Sequence, residues 1–203
     1  ILDKLSKTDK ELLQKYPKVY FLNEHYVPSA LVEIPSNYWY PADKPQQIHT
    51  NVLPFLTRLI EDAKSNGVEL KVLSAFRSFY EQADVKSGYK IVYGTGANKF
   101  SADQGYSEHQ LGTTVDFTTL ATGSTLSNFE KSPSFPWLEA NAYKYGFTLS
   151  YPKNNAYYIY EPWHWRFVGL VLAKKLHDEG KHFYDLDQRD IDAFLVNIFD
   201  SLP

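Results

Sequence analysis

Hydrophobic positions recur at helical spacing in several segments of the chain. Over residues 50–65, apolar side chains return every three or four positions and Asn66-Gly67 follows as a stop signal, which predicts an amphipathic helix. Thr8 opens a capping box that predicts a short amino-terminal helix. Further helices are predicted over residues 79–92, 135–145, 169–179 and 187–199.

Alternating or β-branched segments lie between these predicted helices. Residues 68–75 alternate apolar and charged positions, and residues 113–118 are rich in β-branched side chains. Residues 147–151 and 157–165 are predicted to pair through a hairpin. Strands that meet in hairpins, with helices on their flanks, predict the α+β class with a small, mostly antiparallel sheet.

One domain is expected over residues 1–203. The chain has no repeat and no linker-like stretch, and 43% hydrophobic content is enough to bury one core. Within this domain, residues 1–19 are predicted to form an amino-terminal extension, residues 20–169 the core and residues 170–203 carboxy-terminal helices.

Composition excludes several classes of function. A net charge of −3, without blocks of like charge, gives no footprint for nucleic acid. The longest apolar run, Phe167 to Ala173, is far shorter than the ~20 residues of a transmembrane helix. Because cysteine is absent, a metal site must use His, Asp or Glu. The start at Ile1 and the absence of Met predict a processed or trimmed amino terminus.

Two of the six histidines stand in unusual contexts. His109 precedes a glycine bend and the strand residue Asp116, and His164 follows Glu161 at the end of an aromatic segment. Two imidazoles and one carboxylate leave a fourth position open for water, as catalytic zinc requires, and Glu161 is placed to take the proton of that water. Since residues three apart on a strand face opposite sides, we expect a twist or bulge at Pro162.

Three alternatives compete with this interpretation. Asp116 paired with Glu108 or Glu161 could form a two-carboxylate glycosidase site, which needs no metal. The aromatic segment around Trp163 could stack on carbohydrate, although core packing is favoured for aromatic residues on a strand. Arg77 could be a turn arginine paired with a nearby acid.

Three motifs together resemble the VanY-type D-alanyl-D-alanine carboxypeptidases, a family of zinc peptidases that also includes L,D-carboxypeptidases of peptidoglycan. The resemblance extends over about residues 20–169. The motifs are Ser74-Ala75-Phe76-Arg77-Ser78 with Glu81-Gln82, Ser107-x-His109-x-x-Gly112-x-x-x-Asp116, and Glu161-Pro162-Trp163-His164-Trp165-Arg166.

The resemblance implies a role for each candidate residue. The implied Zn2+ ligands are His109, Asp116 and His164. Glu161 is implied as the general base, and Arg77 as the group that stabilises the oxyanion or holds a substrate carboxylate. In the L,D-cleaving relatives, residues at the positions of Gln82 and Ser107 help to bind the terminal carboxylate.

The implied reaction is hydrolysis of the C-terminal D-alanine from peptidoglycan stem peptides, with D-Ala-D-Ala as the expected bond. The alternatives are an L,D-carboxypeptidase, an endopeptidase on the stem peptide, or a zinc-containing wall-binding domain without catalysis. A substrate of this kind implies a bacterial, extracytoplasmic location in the cell envelope. A monomer is expected.

Overall fold

The computed structural model describes residues 22–41, 44–93, 102–126, 128–155, 159–195 and 197–200. The predicted helix after Thr8 lies outside these residues. The described helices are α1 (Leu53–Ser65), α2 (Phe79–Tyr93), α3 (Ser134–Asn141), α4 (Leu170–Glu179) and α5 (Gln188–Leu195). The described strands are β1 (Leu31–Glu33), β2 (Gln47–His49), β3 (Lys71–Ser74), β4 (Thr114–Thr118), β5 (Phe147–Leu149) and β6 (His164–Phe167).

Two antiparallel sheets form the β part of the fold. Strands β1 and β2 pair with each other, and the other four strands form a sheet in the order β3-β4-β6-β5. Every strand pair in both sheets is antiparallel. The predicted α+β class, with a small antiparallel sheet and flanking helices, is confirmed.

The main core lies where α1 packs against the four-stranded sheet. Leu56 and Leu59 of α1 are fully buried in one cluster with Phe117 of β4 and Phe167 of β6. Trp165 belongs to the same cluster and is 3% exposed, so core packing rather than glycan stacking accounts for it. A second, smaller cluster joins α4 and α5. None of the helices in the described ranges is long and apolar enough to cross a membrane.

The strand predicted over residues 157–165 pairs with the segment over residues 147–151 as expected, since β5 and β6 are antiparallel neighbours. Its predicted start is wrong: residues 157 and 158 lie outside the described residues, and residues 159–163 form no strand. Strand β6 begins only at His164, because Pro162 has no N–H group for a ladder and the chain turns there. The His164 N–H donates to the carbonyl of Glu161 across 3.1 Å, which closes the turn. Glu161 therefore precedes the strand, and the opposite-face rule for strand residues does not separate it from His164.

Candidate active site

Two histidines and an aspartate meet in one buried cluster. One ligand atom each from His109, Asp116 and His164 lies within 4.8 Å of the others. Asp116 Oδ2 is 3.2 Å from His109 Nε2, and Asp116 Oδ1 is 3.1 Å from His164 Nδ1. All three side chains are at most 8% exposed. The sequence-predicted ligand set is therefore brought together around a single point.

Sheet register and a glycine bend place these residues. Asp116 on β4 is the antiparallel partner of His164 on β6, so both side chains lie on one face of the sheet. His109 lies on a 3-10 helix that ends at Gly112 in the left-handed conformation, with φ +69°. A Cβ atom at Gly112 would also come within 3.0 Å of Leu31. The positive φ therefore favours glycine at this bend, and a larger residue would also have to displace the Leu31 side chain.

Hydrogen bonds select the nitrogen that each histidine turns toward the cluster. His109 Nδ1 lies 2.6 Å from the carbonyl oxygen of Ala75, and His164 Nε2 lies 2.9 Å from Glu108 Oε2. A carbonyl and a carboxylate can only accept, so each of these nitrogens carries its proton. His109 Nε2 and His164 Nδ1 are then the atoms available to a metal ion. Two such nitrogens and the Asp116 carboxylate fit a zinc ion that keeps one position open.

The side chains of the cluster shift one another's pKa values. Burial alone would raise the pKa of Asp116, but His109 and His164 hold it well below its usual range. Burial lowers the pKa of His109, although Asp116 opposes this shift. Burial would also lower the pKa of His164, but the hydrogen bonds that its ring donates to Asp116 and Glu108 raise this pKa to about 10. In the metal-free protein His164 therefore holds the proton that a metal ion must displace.

Glu161 lies beside the cluster with its carboxyl group almost out of solvent. Its Oε2 atom is 3.5 Å from His164 Nδ1, and the side chain is 14% exposed. Burial raises the pKa of Glu161 to about 7, although the charge of His164 acts in the opposite direction. A carboxyl group with a pKa near neutrality can both accept and return a proton, as a general base must.

Arg77 lies in the turn between β3 and α2 and faces the same cluster. Its Nη2 atom is 3.7 Å from Asp116 Oδ2, and its Nη1 atom donates to Gln82 Oε1 across 2.7 Å. The backbone N–H of Arg77 donates to the carbonyl of His109 across 3.2 Å. Arg77 is thus held by its backbone N–H to His109 and by its guanidinium to Gln82.

A capping box fixes the start of α2 just after Arg77. The Ser78 N–H donates to Glu81 Oε2 across 2.9 Å, and the Glu81 N–H donates to Ser78 Oγ across 3.3 Å. Gln82 follows on the first turn of the helix and donates to the carbonyl of Ala102 across 2.9 Å. This arrangement holds both the arginine and the glutamine in place.

All seven site residues predicted from the sequence line one cavity of about 510 Å³. This volume is within the range of small-ligand sites. Ser107 is 5% exposed and contributes to the wall near His109. Trp163 also lines the cavity. The seven residues are Arg77, Gln82, Ser107, His109, Asp116, Glu161 and His164.

Sequence reasoning missed the role of Glu108, which appeared only as one half of a glycosidase pair. Glu108 is 5% exposed and bonds to His164, 56 positions away. Burial alone would raise the pKa of Glu108, but Arg166 and His164 hold it far below its usual range. A fixed carboxylate of this kind orients a metal-binding histidine. Its position next to His109 was the only signal in the sequence, and spacing does not reveal its partner.

Comparison with protein families settles the family of this chain. The VanY family of D-alanyl-D-alanine carboxypeptidases matches residues 45–170, which is more than half of the chain. The chain belongs to this family. The matched range contains all seven cavity residues predicted from the sequence. The resemblance inferred from three motifs is therefore confirmed.

A curated relative supports the same assignment. The putative carboxypeptidase YodJ of Bacillus subtilis (strain 168) is 35% identical over 176 residues, which cover 83% of this chain and 64% of YodJ. The chain thus spans less than two thirds of the length of that relative.

Two solved structures share the fold. The LdcB LD-carboxypeptidase superposes with a TM-score of 0.73 at 32% identity, over 89% of this chain and 84% of LdcB. A mutant of the vancomycin-resistance D,D-pentapeptidase VanY, in complex with Zn(II), gives a TM-score of 0.63 at 27% identity. That match covers 75% of this chain and 92% of VanY.

Proposed function

We propose that this chain is a zinc-dependent carboxypeptidase that releases the C-terminal D-alanine from peptidoglycan stem peptides. The observation that carries the proposal is the meeting of a His/Asp/His ligand set, Glu161 and Arg77 in one cavity. Family membership and the zinc complex of a VanY relative support it.

The residues divide the work of peptide hydrolysis between them. When bound by His109, Asp116 and His164, zinc supplies a Lewis acid and lowers the pKa of bound water to about 7. Glu161 takes a proton from the attacking water and returns one to the departing nitrogen of D-alanine. Arg77 binds the terminal carboxylate of the peptide through two parallel hydrogen bonds, which selects a chain end.

The first candidate bond is D-Ala-D-Ala of the pentapeptide, as the sequence motifs predict. A second candidate is the L,D bond of the tetrapeptide. It is supported by the similarity to the LdcB structure, which has a higher TM-score and identity than the structure of the VanY mutant. The hydrogen bond between Arg77 and Gln82 also supports it, because the L,D-cleaving relatives use the glutamine to bind the carboxylate.

An endopeptidase and a wall-binding domain find less support in the geometry. An endopeptidase has no terminal carboxylate to bind, whereas Arg77 lies in the same cavity as the ligand cluster. A wall-binding domain without catalysis has no use for the buried base Glu161. The proposed substrate places the protein outside the cytoplasmic membrane, in the bacterial cell envelope.

Mass spectrometry of stem peptides tests the bond. The zinc-loaded protein is incubated with the pentapeptide and the tetrapeptide, each with and without a chelator. Loss of one alanine from the pentapeptide supports the D,D bond, and loss from the tetrapeptide alone supports the L,D bond. Cleavage that continues unchanged with chelator would contradict the proposal.

A further inference from the structure

Glu108 is held by two residues that lie far from it in sequence. Arg166 Nη1 donates to Glu108 Oε1 across 2.7 Å, and Tyr184 Oη donates to the same oxygen across 2.6 Å. The other oxygen, Oε2, lies 2.9 Å from His164 Nε2. Oε2 of Glu108 therefore accepts from the His164 imidazole, and Oε1 accepts the hydrogen bonds from Arg166 and Tyr184.

A short carboxy-terminal segment supplies one of these anchors. Tyr184 lies on a 3-10 helix, Phe183–Asp185, between α4 and α5. The helix has a capping box, and Phe183 is fully buried in the second apolar cluster. The ring of Phe183 lies 4.1 Å from the guanidinium carbon of Arg166. Adjacent residues of this segment thus contact both the carboxylate of Glu108 and its arginine partner.

The same tyrosine also supports the His164 ring from one face. Tyr184 stacks on Tyr151 with 6.0 Å between ring centroids, and Tyr151 stacks on His164 with 4.6 Å. An imidazole that binds metal through Nδ1 needs a fixed Nε2–H bond and a fixed ring plane. Glu108 provides the first and Tyr151 the second, and Tyr184 contacts both of them.

We infer that Tyr184 is a positioning residue of the metal site. Its hydroxyl group fixes Glu108, and Glu108 keeps His164 Nδ1 turned toward the metal. Tyr184 lies outside the cavity lining, and its hydroxyl donates to Glu108 rather than to a proposed ligand, so it acts through Glu108. The inference rests on the proposed function for the metal ion. The family match ends at residue 170, so this anchor lies beyond the matched range.

Zinc affinity of Tyr184→Phe tests the inference, because this change removes only the hydroxyl group. Competition with a chelator of known affinity is measured on the full chain. We expect zinc to bind about tenfold more weakly, at the low end of the range for outer partners of a ligand. The control is Tyr143→Phe, a tyrosine that stacks on His177 and packs against the same apolar cluster. Its zinc affinity should stay within about twofold of the wild type.

A double-mutant comparison separates positioning from general stabilisation. Glu108→Gln should weaken zinc binding by about 10- to 100-fold, since an amide can donate to Nε2 and favour the wrong tautomer. Adding Tyr184→Phe to Glu108→Gln should then cause little further loss, because the tyrosine acts through the carboxylate. The visible spectrum of the cobalt-substituted protein should shift in Tyr184→Phe and not in Tyr143→Phe.

Several results would overturn the inference. Unchanged zinc affinity in Tyr184→Phe, an equal loss in Tyr143→Phe, or fully multiplicative losses in the double mutant would each contradict a role through Glu108. A wild-type protein that binds zinc but cleaves no stem peptide would refute the proposed function, while the affinity comparison would still decide the role of Tyr184. A wild-type protein that binds no zinc would refute both.

Discussion

Asp116 and His164 are direct partners across two antiparallel strands, and their side chains meet at 3.1 Å. Because register fixes this pair, two of the three proposed ligands are positioned by backbone hydrogen bonds rather than by a loop. Only His109 arrives from outside the sheet, and its 3-10 helix is tied to β2 through the bond from the His49 N–H to the Gly112 carbonyl. The strand register and this bond therefore place all three side chains of the cluster.

Replacing Glu161 should separate metal binding from turnover. In Glu161→Gln the three ligands are untouched, so zinc stoichiometry should match the wild type. The rate constant kcat should fall by at least ~10²-fold, because the general base is lost. Metal analysis and D-alanine release on the same sample provide the test. His109→Ala is the control that should lose zinc as well, and an active Glu161→Gln enzyme would refute the assignment.

Glu161 should also limit the stability of the metal-free protein above neutral pH. Its pKa rises from 4.5 to about 7 on folding, so the contribution to stability is fully present below pH 4.5 and is lost as pH rises through 7. Glutamine stays neutral. The free energy of unfolding of Glu161→Gln relative to wild type should therefore grow between pH 4.5 and 8, by up to about 3 kcal/mol. Urea titrations that give a pH-independent difference would contradict the raised pKa.

Zinc binding should release a proton from His164. The pKa of His164 is raised to about 10, so its imidazole is charged at neutral pH, whereas burial lowers the pKa of His109 below its usual range. Calorimetry in buffers of different ionisation enthalpy counts the protons. Glu161→Gln is used to remove the second titrating group. At least one proton should be released at pH 6, and zinc affinity should rise with pH. Release of no proton would contradict this account.

Arg77 should discriminate between a free chain end and a blocked one. Charge-assisted hydrogen bonds to the terminal carboxylate would be lost in Arg77→Ala, so kcat/KM should fall by about 10- to 100-fold. A peptide with an amidated end serves as the matched substrate and should be nearly insensitive to the change. Gln82→Ala should also lower kcat/KM more on the peptide with a free carboxylate than on the amidated peptide, but by a smaller factor than Arg77→Ala. An equal loss on both peptides would contradict a role in carboxylate binding.

Gly169 should tolerate alanine less well than Gly67 does. Both glycines have positive φ, +84° and +73°. A Cβ atom at Gly169 would come within 2.8 Å of the Ile198 carbonyl, whereas none of the described atoms lies within 4 Å of a Cβ at Gly67. Alanine at Gly67 should cost about 1–2 kcal/mol from backbone strain alone, and Gly169→Ala should cost more. Equal losses in chemical denaturation would show that Ile198 does not constrain this position.

Local patterns predicted the parts of the fold that depend on neighbouring residues. The spacing of apolar residues over 50–65 corresponds to α1, and Gly146 ends the segment after α3 as expected. Three motifs named every residue of the ligand cluster together with Glu161 and Arg77, which share its cavity. For α1 and its stop, the signal is contained in a short stretch of sequence. The roles of the cluster residues were instead implied by the resemblance of three motifs to a known family.

Long-range pairing could not be predicted in the same way. The aromatic residues before Glu161 favour a strand by propensity. Because the chain turns at Pro162, however, β6 begins only at His164. The bond from Tyr184 to Glu108 joins residues 76 positions apart. Such contacts arise from how α4 and the following segment pack, and no local pattern specifies them.

The central claim is that one metal ion, held by His109, Asp116 and His164, enables peptide hydrolysis with Glu161 as the base. The most direct test titrates metal-free protein with zinc while bound zinc and released D-alanine are measured together. We predict that release rises in proportion to bound zinc and reaches its maximum at one equivalent. Full activity in the metal-free protein, or one bound zinc without release from either stem peptide, would contradict the claim.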